Sequence, residues 1–589
     1  MFLRRAILQS ISAIALMPML PGPALASEGS DDGAGRKSRQ LRIDRKFVLV
    51  PINNESLFRR VRIVKNGRVL RAFTASLGLP AQWWAHLDVS DWEGQTLTVS
   101  VERDNSPLPG YRPPSGRGAN ETDNAELVAA IRTSPDIWSP ETLYKEPLRP
   151  LFHFSSRRGW INDPNGLMYH NGEYHLFFQH NPYGVRWGNM HWGHAVSTDL
   201  VHWKELPIAL YPRGDDGFPY SGAGVVDHDN TSGWGKNGRP PMVIAFYGGG
   251  RGTCIAYSND DGASWTEFAG NPVIRNVRDP KLLWHAQTKQ WVMAIDSERL
   301  DGKPMARREG DEMLPGTRQG IAFYTSRDLK SWRERSWIEG FVDCPDLFAL
   351  PIDRDPKRMR WVLSCGPGYY RIGEFDGARF IPDSPQLPGP SGGRRLYAGQ
   401  VVNNHPQGDI IQIAWGVGQN HDTPFNGLMG FPVRLSLRTT ADGLRLCHEP
   451  IDAIRSLRIR THEVPAGPLK GATLLEELSG EAWDIETVIK VGTIKSITMS
   501  LGGDDYVYHP ATQILSGPKG SVPIPLDDGR LRLRVLVDRT TIEVFGDQGQ
   551  AYGMFARTNP TTLAALKLSS AQGEVVSLKA HSLRSAWSA

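Results

Sequence analysis

One acidic residue stands out because its neighbours restrict it in a way that suits carboxylate chemistry. Asp163 lies in the motif Trp-Ile-Asn-Asp-Pro-Asn-Gly at residues 160–166, and the proline that follows it favours an extended or turn conformation over a helix. A simple turn would explain the polar residues but not the adjoining Trp160. Cleavage of a glycosidic bond needs one carboxylate at the anomeric carbon and a proton donor at the leaving oxygen. Asp163 is a candidate for the first of these roles.

Charge and composition favour a neutral ligand. The chain has 589 residues, of which 40% are hydrophobic and 22% charged, close to the average of globular domains. Its mean hydropathy is -0.37, so disordered and multi-span membrane proteins are excluded. The net charge is +4, with Lys and Arg scattered along the chain, which argues against nucleic acid as a partner. A hydroxyl-rich sugar fits better.

A weak internal repeat predicts the element that would position Asp163. A Ser-x-Asp turn followed by Trp begins at Ser197, recurs loosely at Ser258, and recurs again at Ser326. Each copy follows a hydrophobic strand, as in a propeller blade, where Asp closes a turn and Trp packs beneath it. About 290 residues at a period of about 60 give five four-stranded blades, within the usual range. Coincidental turns in another β protein remain the alternative.

The regions around the repeat also favour strands. Short alternating runs at residues 47–102 and again after residue 437 predict antiparallel sandwiches, and a short helical pattern occupies residues 124–131. We therefore expect an all-β chain whose five-bladed propeller is followed by a C-terminal sandwich and preceded by a small β domain. The predicted divisions are a signal peptide at 1–26, a flexible leader at 27–40, a small β-sandwich at 41–103, a linker at 104–147, the propeller at 148–440 and the C-terminal sandwich at 441–589.

The first 26 residues predict export. Arg4 and Arg5 precede a mostly apolar stretch, and Ala24-Leu25-Ala26 suits signal peptidase. A retained membrane anchor is the alternative, but polar residues and Pro18 interrupt the stretch. The mature protein is thus expected to be secreted or periplasmic, without integral membrane association.

The four cysteines have irregular spacings that fit no zinc ribbon, so they form one or two disulfides at most.

Several further motifs, taken together, resemble glycoside hydrolase family 32, which contains the invertases, inulinases and levanases. The resemblance starts near Leu151 and covers about three quarters of the chain. It rests on the 160–166 motif and on Phe-Phe-Gln-His-Asn-Pro at 177–182, Trp-Gly at 187–188, Tyr-Ser-Gly at 220–222, Arg-Asp-Pro at 278–280 and Asp-Cys-Pro-Asp-Leu-Phe at 343–348. The family fold is a five-bladed propeller followed by a β-sandwich, which agrees with the repeat.

The resemblance implies roles for individual residues. Asp163 matches the nucleophile of a retaining mechanism, and Asp279 matches the stabiliser of the transition state. Beside it, Arg278 is expected to bind hydroxyl groups and to hold the carboxylates ionised. The terminal fructose would be bound by Asn162, Gln179, Trp187 and Ser221. No metal or cofactor is implied.

The chain departs from the family at the third carboxylate. The family has Glu before Cys-Pro-Asp as the general acid and base, whereas this chain has Asp343. Asp is shorter by about 1.5 Å, and a misplacement of about 1 Å can cost a hundredfold in rate. Either the backbone has moved inward or turnover is reduced, and we expect the first. Tyr220 also replaces the usual Trp or Phe, so a changed leaving-group contact is expected.

The resemblance predicts an exo-acting hydrolase that removes β-linked fructose from levan, with inulin and sucrose as further candidate substrates. A plain sucrose hydrolase is the first alternative, and a fructan-binding protein with a decayed site at Asp343 is the second. A levansucrase-type synthase is disfavoured because such enzymes resemble the propeller alone. In the N-terminal domain, Trp83 and Trp84 are interpreted as core residues in preference to an exposed fructan platform. The oligomeric state is open.

Overall fold

A computed structural model describes most of the chain. The described residues are 35–104, 122–213, 217–275, 277–300, 302–304, 315–389, 396–416, 423–469, 471–475, 480–501, 503–558, 560, 566–570 and 573–587. The predicted signal peptide, the first part of the leader and much of the linker lie outside these ranges. No helix in the described ranges is long and apolar enough to cross a membrane.

Two small sheets and one helix form the N-terminal domain. The strands order as β1-β6-β3-β4 and β5-β2-β7, and alternate side chains of β5 are buried, Trp83 among them. Trp83 is thus a core residue as predicted, while Trp84 is half-buried beneath Arg132. The bounds are β1 Lys37–Arg42, β2 Phe47–Ile52, β3 Phe58–Lys65, β4 Arg68–Ser76, β5 Trp83–Asp88, β6 Thr96–Arg103, α1 Asn124–Ala130 and β7 Arg132–Ser134.

The edges of this domain differ from the predicted divisions. Strand β1 begins at Lys37, inside the predicted leader, because it pairs with β6 along its length. The predicted helix exists, and the Asp123 side chain caps it by accepting from the Ala125 amide. Both α1 and β7 lie in the predicted linker, yet β7 pairs with β2. Part of the linker therefore belongs to the N-terminal domain.

Five antiparallel blades form the propeller, as the repeat predicted. Blade 1 contains β8 to β11, with β27 added at its inner edge; blade 2 contains β12 to β15; blade 3 contains β16, β17, β19 and β20, with β18 at the side. Blades 4 and 5 belong to one sheet through the parallel pairing of Ile352 with Leu437. The bounds in blades 1 to 3 are β8 Gly159–His170, β9 Glu173–Asn181, β10 His191–Ser197, β11 Lys204–Leu210, β12 Gly222–Val226, β13 Met242–Tyr247, β14 Thr253–Ser258, β15 Thr266–Glu267, β16 Arg278–His285, β17 Gln290–Leu300, β18 Lys303–Pro304, β19 Arg318–Ser326 and β20 Arg333–Glu339.

The last blade extends beyond the predicted end of the propeller. Blade 4 contains β21 to β24, and blade 5 is built on β25, β26, β29 and β30. Because β29 pairs with β30 from Val433 to Pro450, the predicted boundary at residue 440 falls inside this blade. The bounds are β21 Asp346–Ile352, β22 Asp355–Ser364, β23 Tyr370–Phe375, β24 Phe380–Pro382, β25 Leu396–Val401, β26 Ile411–Gly416, β27 Phe425–Asn426, β28 Leu428–Met429, β29 Val433–Thr440 and β30 Gly443–Pro450.

The repeated Ser-x-Asp turn has the same hydrogen bonds in three blades. The Ser hydroxyl donates to the Asp carboxylate in each copy. Each Trp indole donates to a carbonyl three residues earlier, over 3.0–3.1 Å. The accepting residues are Leu200, Gly262 and Leu329, all with φ between 60 and 84°. The sequence similarity therefore reflects one turn used three times.

Two further sheets form the C-terminal sandwich. They order as β31-β43-β34-β39-β40-β41 and β33-β42-β35-β36-β37-β38 and enclose a hydrophobic core that includes Trp483 and Phe555. The bounds are β31 Arg458–Val464, β32 Gly467–Pro468, β33 Gly471–Leu475, β34 Trp483–Lys490, β35 Ile497–Leu501, β36 Asp504–His509, β37 Ile514–Gly517, β38 Gly520–Pro523, β39 Arg530–Val537, β40 Thr541–Gly546, β41 Ala551–Ala556, β42 Leu566–Ser570 and β43 Glu574–Leu583. All four cysteines of the chain are buried and free, so the open possibility of one or two disulfides is not realised.

Candidate active site

The candidate site is assembled from all five blades. The innermost strands of the blades are β8, β12, β16, β21 and β25. Each has a polar residue at or near its beginning, and these residues lie at the same mouth of the central channel. These residues are Asp163 in β8, Ser221 before β12, Asp279 in β16, Asp343 before β21 and Tyr397 in β25. Residues up to 234 positions apart in sequence thus meet in one place.

The three predicted carboxylates lie close together. Cys344 Sγ is 3.5 Å from Asp163 Oδ2 and 3.5 Å from Asp343 Oδ1, so these two oxygens are separated by at most twice that distance. Asp279 and Asp343 are closer still, with carboxylate oxygens within 4.8 Å. A retaining glycosidase needs its two carboxyl groups about 5 to 5.5 Å apart. The upper limit on the separation of Asp163 and Asp343 allows this spacing.

A buried ion pair fixes the strands that carry two of these carboxylates. Lys281, two residues after Asp279, lies 2.8 Å from Asp346 Oδ1, and Asp346 follows Asp343 by three residues. Asp346 Oδ2 also accepts from the backbone amide of Val401 in β25. The blades that supply Asp279, Asp343 and Tyr397 are therefore tied together directly beneath the site.

The backbone at the site is held in a rarely used conformation. Asp279, Asp343 and Cys344 have φ angles of 51, 62 and 36°. Left-handed backbone is uncommon outside glycine, although Asp adopts it more readily than most residues. Such strain persists only where the surroundings impose it, and it concentrates at functional sites. At Asp343 it turns a short side chain toward Tyr397, whose hydroxyl donates to Asp343 Oδ2 over 2.7 Å.

Burial raises the pKa of the Asp163 carboxyl to about 6, and the nearby charge of Asp343 adds to this shift. Hydrogen bonds act in the opposite direction, because Ser221 Oγ donates to Asp163 Oδ2 over 2.7 Å and Asn162 also stabilises the ionised form. Asp163 is therefore ionised at neutral pH but close enough to its pKa to respond to mild acid.

The pKa values of Asp279 and Asp343 shift in opposite directions. Burial and the charge of Asp343 raise the Asp279 pKa well above its usual value. Burial also opposes ionisation of Asp343, but hydrogen bonds from Asp279, Tyr397 and Cys344, together with the charge of Arg278, outweigh it and lower the Asp343 pKa. These opposite shifts favour protonation of Asp279 before Asp343, which would make Asp279 the donor between the two carboxyl groups.

Arg278 favours the ionised forms of Asp279 and Asp343, as expected of its charge, but at Asp279 other effects are larger. Arg278 lies at the start of β16, and its Nη2 donates to Asp296 Oδ2 over 2.7 Å. Its charge lowers the pKa of Asp279, but burial and the charge of Asp343 are stronger and the net shift is upward. The sequence could not show that Asp296, on the neighbouring β17, attracts the same guanidinium.

The other predicted ligand-binding residues line the mouth of the channel. Asn162 accepts from the Trp160 indole over 3.0 Å, and Gln179 donates to the Pro219 carbonyl over 3.0 Å. Trp187 is half-buried and stacks against Tyr220, with ring centroids 6.3 Å apart. Tyr220 precedes Ser221, so this aromatic pair forms a wall next to Asp163.

Asp279, Asp343 and Cys344 could in principle offer a metal ion three ligand atoms within 4.8 Å of one another. Burial and the surrounding carboxylates raise the Cys344 pKa well above its usual value, and a protonated thiol is a poor ligand. The cluster is therefore a pair of interacting carboxyl groups with a neutral thiol beside them.

Sequence reasoning missed Tyr397 as a functional residue. Its hydroxyl contacts Asp343, but no local pattern connects it with a residue 54 positions earlier. Cys344 was also overlooked as the group that bridges Asp163 and Asp343, although it lies inside a motif that had been recognised. The signal available in the sequence was its position between two carboxylate residues of that motif, Asp343 and Asp346.

Comparisons with known proteins agree with this architecture. The family model described as the glycosyl hydrolases family 32 N-terminal domain matches residues 153–450, and the model of the family 32 C-terminal region matches residues 453–582. A levanase from Bacillus subtilis (strain 168) is 32% identical over 527 residues, covering 78% of this chain and 74% of the relative. An extracellular exo-inulinase from Aspergillus ficuum is 31% identical over 538 residues, covering 75% and 96%.

A solved structure resembles the same part of the chain. The crystal structure of an exo-inulinase from Aspergillus awamori superposes with a TM-score of 0.65 at 28% identity, over 75% of this chain and 100% of the other. Sequence and fold thus point the same way, and the family models span well over half of the chain. The protein belongs to glycosyl hydrolase family 32.

Proposed function

We propose that the protein is an exported, retaining hydrolase that removes terminal β-D-fructofuranosyl units from fructans, with levan as the main substrate and inulin and sucrose as further candidates. The observation that carries this proposal is the convergence of Asp163, Asp279 and Asp343 at one mouth of the propeller. The similarity to a levanase and an exo-inulinase supports fructans as the substrate class.

In the first step, ionised Asp163 attacks the anomeric carbon of the terminal fructosyl unit and forms a glycosyl ester. Asp343 gives its proton to the leaving oxygen as the glycosidic bond breaks. In the second step, Asp343 takes a proton from water, which attacks the same carbon and releases fructose and ionised Asp163. Two displacements at one carbon give net retention.

The acid step requires a proton that the free protein holds on Asp279. Sugar hydroxyl groups donate hydrogen bonds to a carboxylate, so substrate binding stabilises the ionised form of Asp279. That proton then passes along the existing hydrogen bond to Asp343. Asp279 thereby becomes the carboxylate that holds the sugar hydroxyls, and Asp343 becomes the acid.

The contacts around Asp343 support a working acid in spite of the shorter side chain. Its carboxyl group reaches Tyr397, Cys344 and Asp279, and its distance from Asp163 is below the 8 Å or so at which retaining chemistry becomes implausible. A fructan-binding protein with a decayed site would not need these contacts.

The test is incubation of the purified protein with levan, inulin and sucrose, with the products resolved by size over time. Fructose as the sole early product from levan is expected, whereas a ladder of oligosaccharides would indicate endo cleavage. Activity on sucrose alone would make the protein a sucrose hydrolase. Binding of levan without any product would establish the fructan-binding alternative.

Retention can be measured by adding methanol as the acceptor. Because the second displacement reverses the first inversion, methyl β-fructofuranoside is the expected product. The α anomer would overturn the double-displacement mechanism.

Export is part of the proposal and rests on residues 1–26, with support from an extracellular relative. N-terminal sequencing of the protein from its native culture should begin at or near Ser27.

A further inference from the structure

The N-terminal domain holds the loop that presents Trp187. The family models begin at residue 153, so nothing in them assigns a role to this domain. We propose that it positions the loop at residues 182–190, here called the Trp187 loop, and thereby sets the affinity for substrate. This inference rests on the proposed function, since Trp187 and Tyr220 form the substrate wall only if the channel mouth is the active site.

A pair of hydrogen bonds joins the loop to β4 of the N-terminal domain. The Thr74 amide donates to Asn189 Oδ1 over 2.9 Å, and Asn189 Nδ2 donates back to the Thr74 carbonyl over 2.6 Å. Asn189 is 2% exposed, so both bonds are shielded from water. A buried backbone amide or carbonyl that loses such a partner destabilises the local structure.

Apolar packing reinforces these hydrogen bonds. Tyr183 of the loop stacks on Phe73, with ring centroids 3.8 Å apart and planes inclined by 18°. Tyr183 and Val185 belong to the hydrophobic core of the N-terminal domain and are 1% and 2% exposed. The cavity between the N-terminal domain and the loop has a volume of about 10 Å³, which is no larger than the space that one water molecule needs. The contact is therefore closely packed.

The same loop is also bonded to the propeller. Asn189 Nδ2 lies 3.1 Å from Asn181 Oδ1, and Asn181 Nδ2 donates to the Arg186 carbonyl over 2.8 Å. The Asn426 side chain donates to the Val185 carbonyl over 2.9 Å. Asn189 therefore connects the N-terminal domain to the propeller two residues from Trp187.

These contacts make the domain a positioning element and not a second substrate platform. Trp187 itself stacks on Tyr220, next to the residue that bonds Asp163. Loosening the loop would widen the substrate wall while leaving Asp163, Asp279 and Asp343 in place. Weaker binding of ground state and transition state alike raises KM and leaves kcat nearly unchanged.

Two variants of the full-length protein test the proposal from opposite sides of the contact between the N-terminal domain and the Trp187 loop. Asn189→Gly removes the two side-chain hydrogen bonds to Thr74 and the one to Asn181 yet suits the φ of 44° at this position. Phe73→Leu removes the ring stack and keeps most of the apolar volume. We expect KM for levan to rise about fivefold or more in Asn189→Gly and about threefold in Phe73→Leu, with kcat within about twofold of the unaltered value.

Phe47→Leu is the matched control, since Phe47 is in the same domain but packs edge-on against His86 and not against the loop. Hydrogen–deuterium exchange supplies a second readout that does not need activity. Exchange across residues 182–190 should rise in Asn189→Gly and Phe73→Leu and stay unchanged in Phe47→Leu.

The positioning role would be overturned if hydrogen–deuterium exchange of the loop is unchanged in Asn189→Gly and Phe73→Leu. It would also be overturned if exchange rises while KM stays unchanged. An equal rise of KM in Phe47→Leu would attribute the effect to general loss of domain stability and would also overturn it. If the unaltered protein hydrolyses neither levan, inulin nor sucrose, the proposed function fails, and the exchange comparison still decides whether the domain holds the loop.

Discussion

Two groups of buried carboxyl groups in this protein are built in opposite ways. The channel mouth holds Asp163, Asp279 and Asp343, whereas the seam between propeller and C-terminal sandwich holds Asp538 and Glu543 with His153 between them. His153 Nδ1 is 2.8 Å from Asp538 Oδ2, and its Nε2 is 3.5 Å from Glu543 Oε2. All three seam side chains are fully buried.

The pKa shifts of the carboxyl groups differ between the two clusters because protonated His153 lies between Asp538 and Glu543 at the seam. Burial opposes a charge on His153, but its hydrogen bond to Asp538 and the charges of both carboxylates outweigh it and raise its pKa to about 9. Burial likewise opposes ionisation of Asp538, yet His153 and backbone amides lower its pKa. At the channel mouth burial dominates: the charge of Arg278 offsets the upward shift of Asp279 only in part, and the pKa values of Asp163 and Asp279 are raised.

The comparison separates a stabilising cluster from a reactive one. The seam is favourable to the folded state at neutral pH because its charges are paired. The channel mouth is unfavourable to the folded state, because ionised carboxylates with raised pKa values are better solvated in the unfolded chain. The predictions below change one cluster at a time, in order of expected effect.

Asp163→Asn should abolish hydrolysis without loss of structure. An amide is nearly isosteric with the carboxylate but cannot form the glycosyl ester, so kcat on levan should fall by at least about a thousandfold. Since the change also removes a buried charge with a raised pKa, the Tm at pH 7 should rise. A variant that keeps more than about a tenth of kcat would show that Asp163 is not the nucleophile.

His153→Gln should have the opposite signature, a large loss of stability. Removing the cation leaves two buried carboxyl groups unpaired, which typically destabilises by about 3 to 5 kcal/mol. Thermal or denaturant unfolding at pH 7 measures the loss. His202→Gln is the control, because His202 pairs with Asp199 on the surface and such pairs contribute at most about 1 kcal/mol. Equal losses would contradict the assigned role of the seam.

The same variant tests the pH dependence of the seam. Since the folded pKa of His153 is above its ordinary value, this stabilisation is complete below about 6.5 and is lost as pH rises through about 9. The unaltered protein should therefore lose stability across this window. His153→Gln should show a shallower decline.

Asp343→Glu should lower activity. The Asp343 carboxyl is enclosed by Tyr397, Cys344 and Asp279, so one more methylene would move the acid from the leaving oxygen and reduce kcat by about tenfold. Steady-state kinetics on levan decide the sign. A tenfold gain would mean that the natural protein is an impaired hydrolase whose backbone has kept the family position.

The pH–rate profile should reveal the raised pKa of Asp163. The nucleophile must be ionised, so kcat/KM should fall about tenfold per pH unit below a pKa of about 6. An acid limb near the ordinary Asp value of about 4 would contradict the effect of burial on this group.

Tyr397→Phe should have the smallest effect. The hydroxyl stabilises ionised Asp343, so its loss raises the Asp343 pKa and keeps the acid protonated to higher pH. We expect the alkaline limb of kcat to move upward by about one unit or less, with kcat at its optimum changed less than about tenfold. A downward shift would contradict the contact. Trp415→Phe is a suitable control because the Trp415 ring packs edge-on against Tyr397.

Much of the fold could be predicted from local pattern. The turn at Ser197, Ser258 and Ser326 depends on residues within eight positions of one another, so its repetition showed the blades directly. The boundary at residue 440 was less accessible, because β30 belongs to the propeller only through its pairing with β29. The edges of the N-terminal domain were missed for the same reason, since β1 and β7 are defined by partners far away in sequence.

The sequence by itself determined the all-β architecture, the family resemblance, and the candidate roles of Asp163, Asp279 and Asp343, because these rest on residue types at short spacings. Only the tertiary structure decided that the Asp279 pKa is raised while the Asp343 pKa is lowered, that Tyr397 bonds Asp343, and that Asn189 joins the N-terminal domain to the Trp187 loop. Protonation and positioning depend on burial and on distances between side chains from different blades. Those quantities exist only once the chain has closed into a ring.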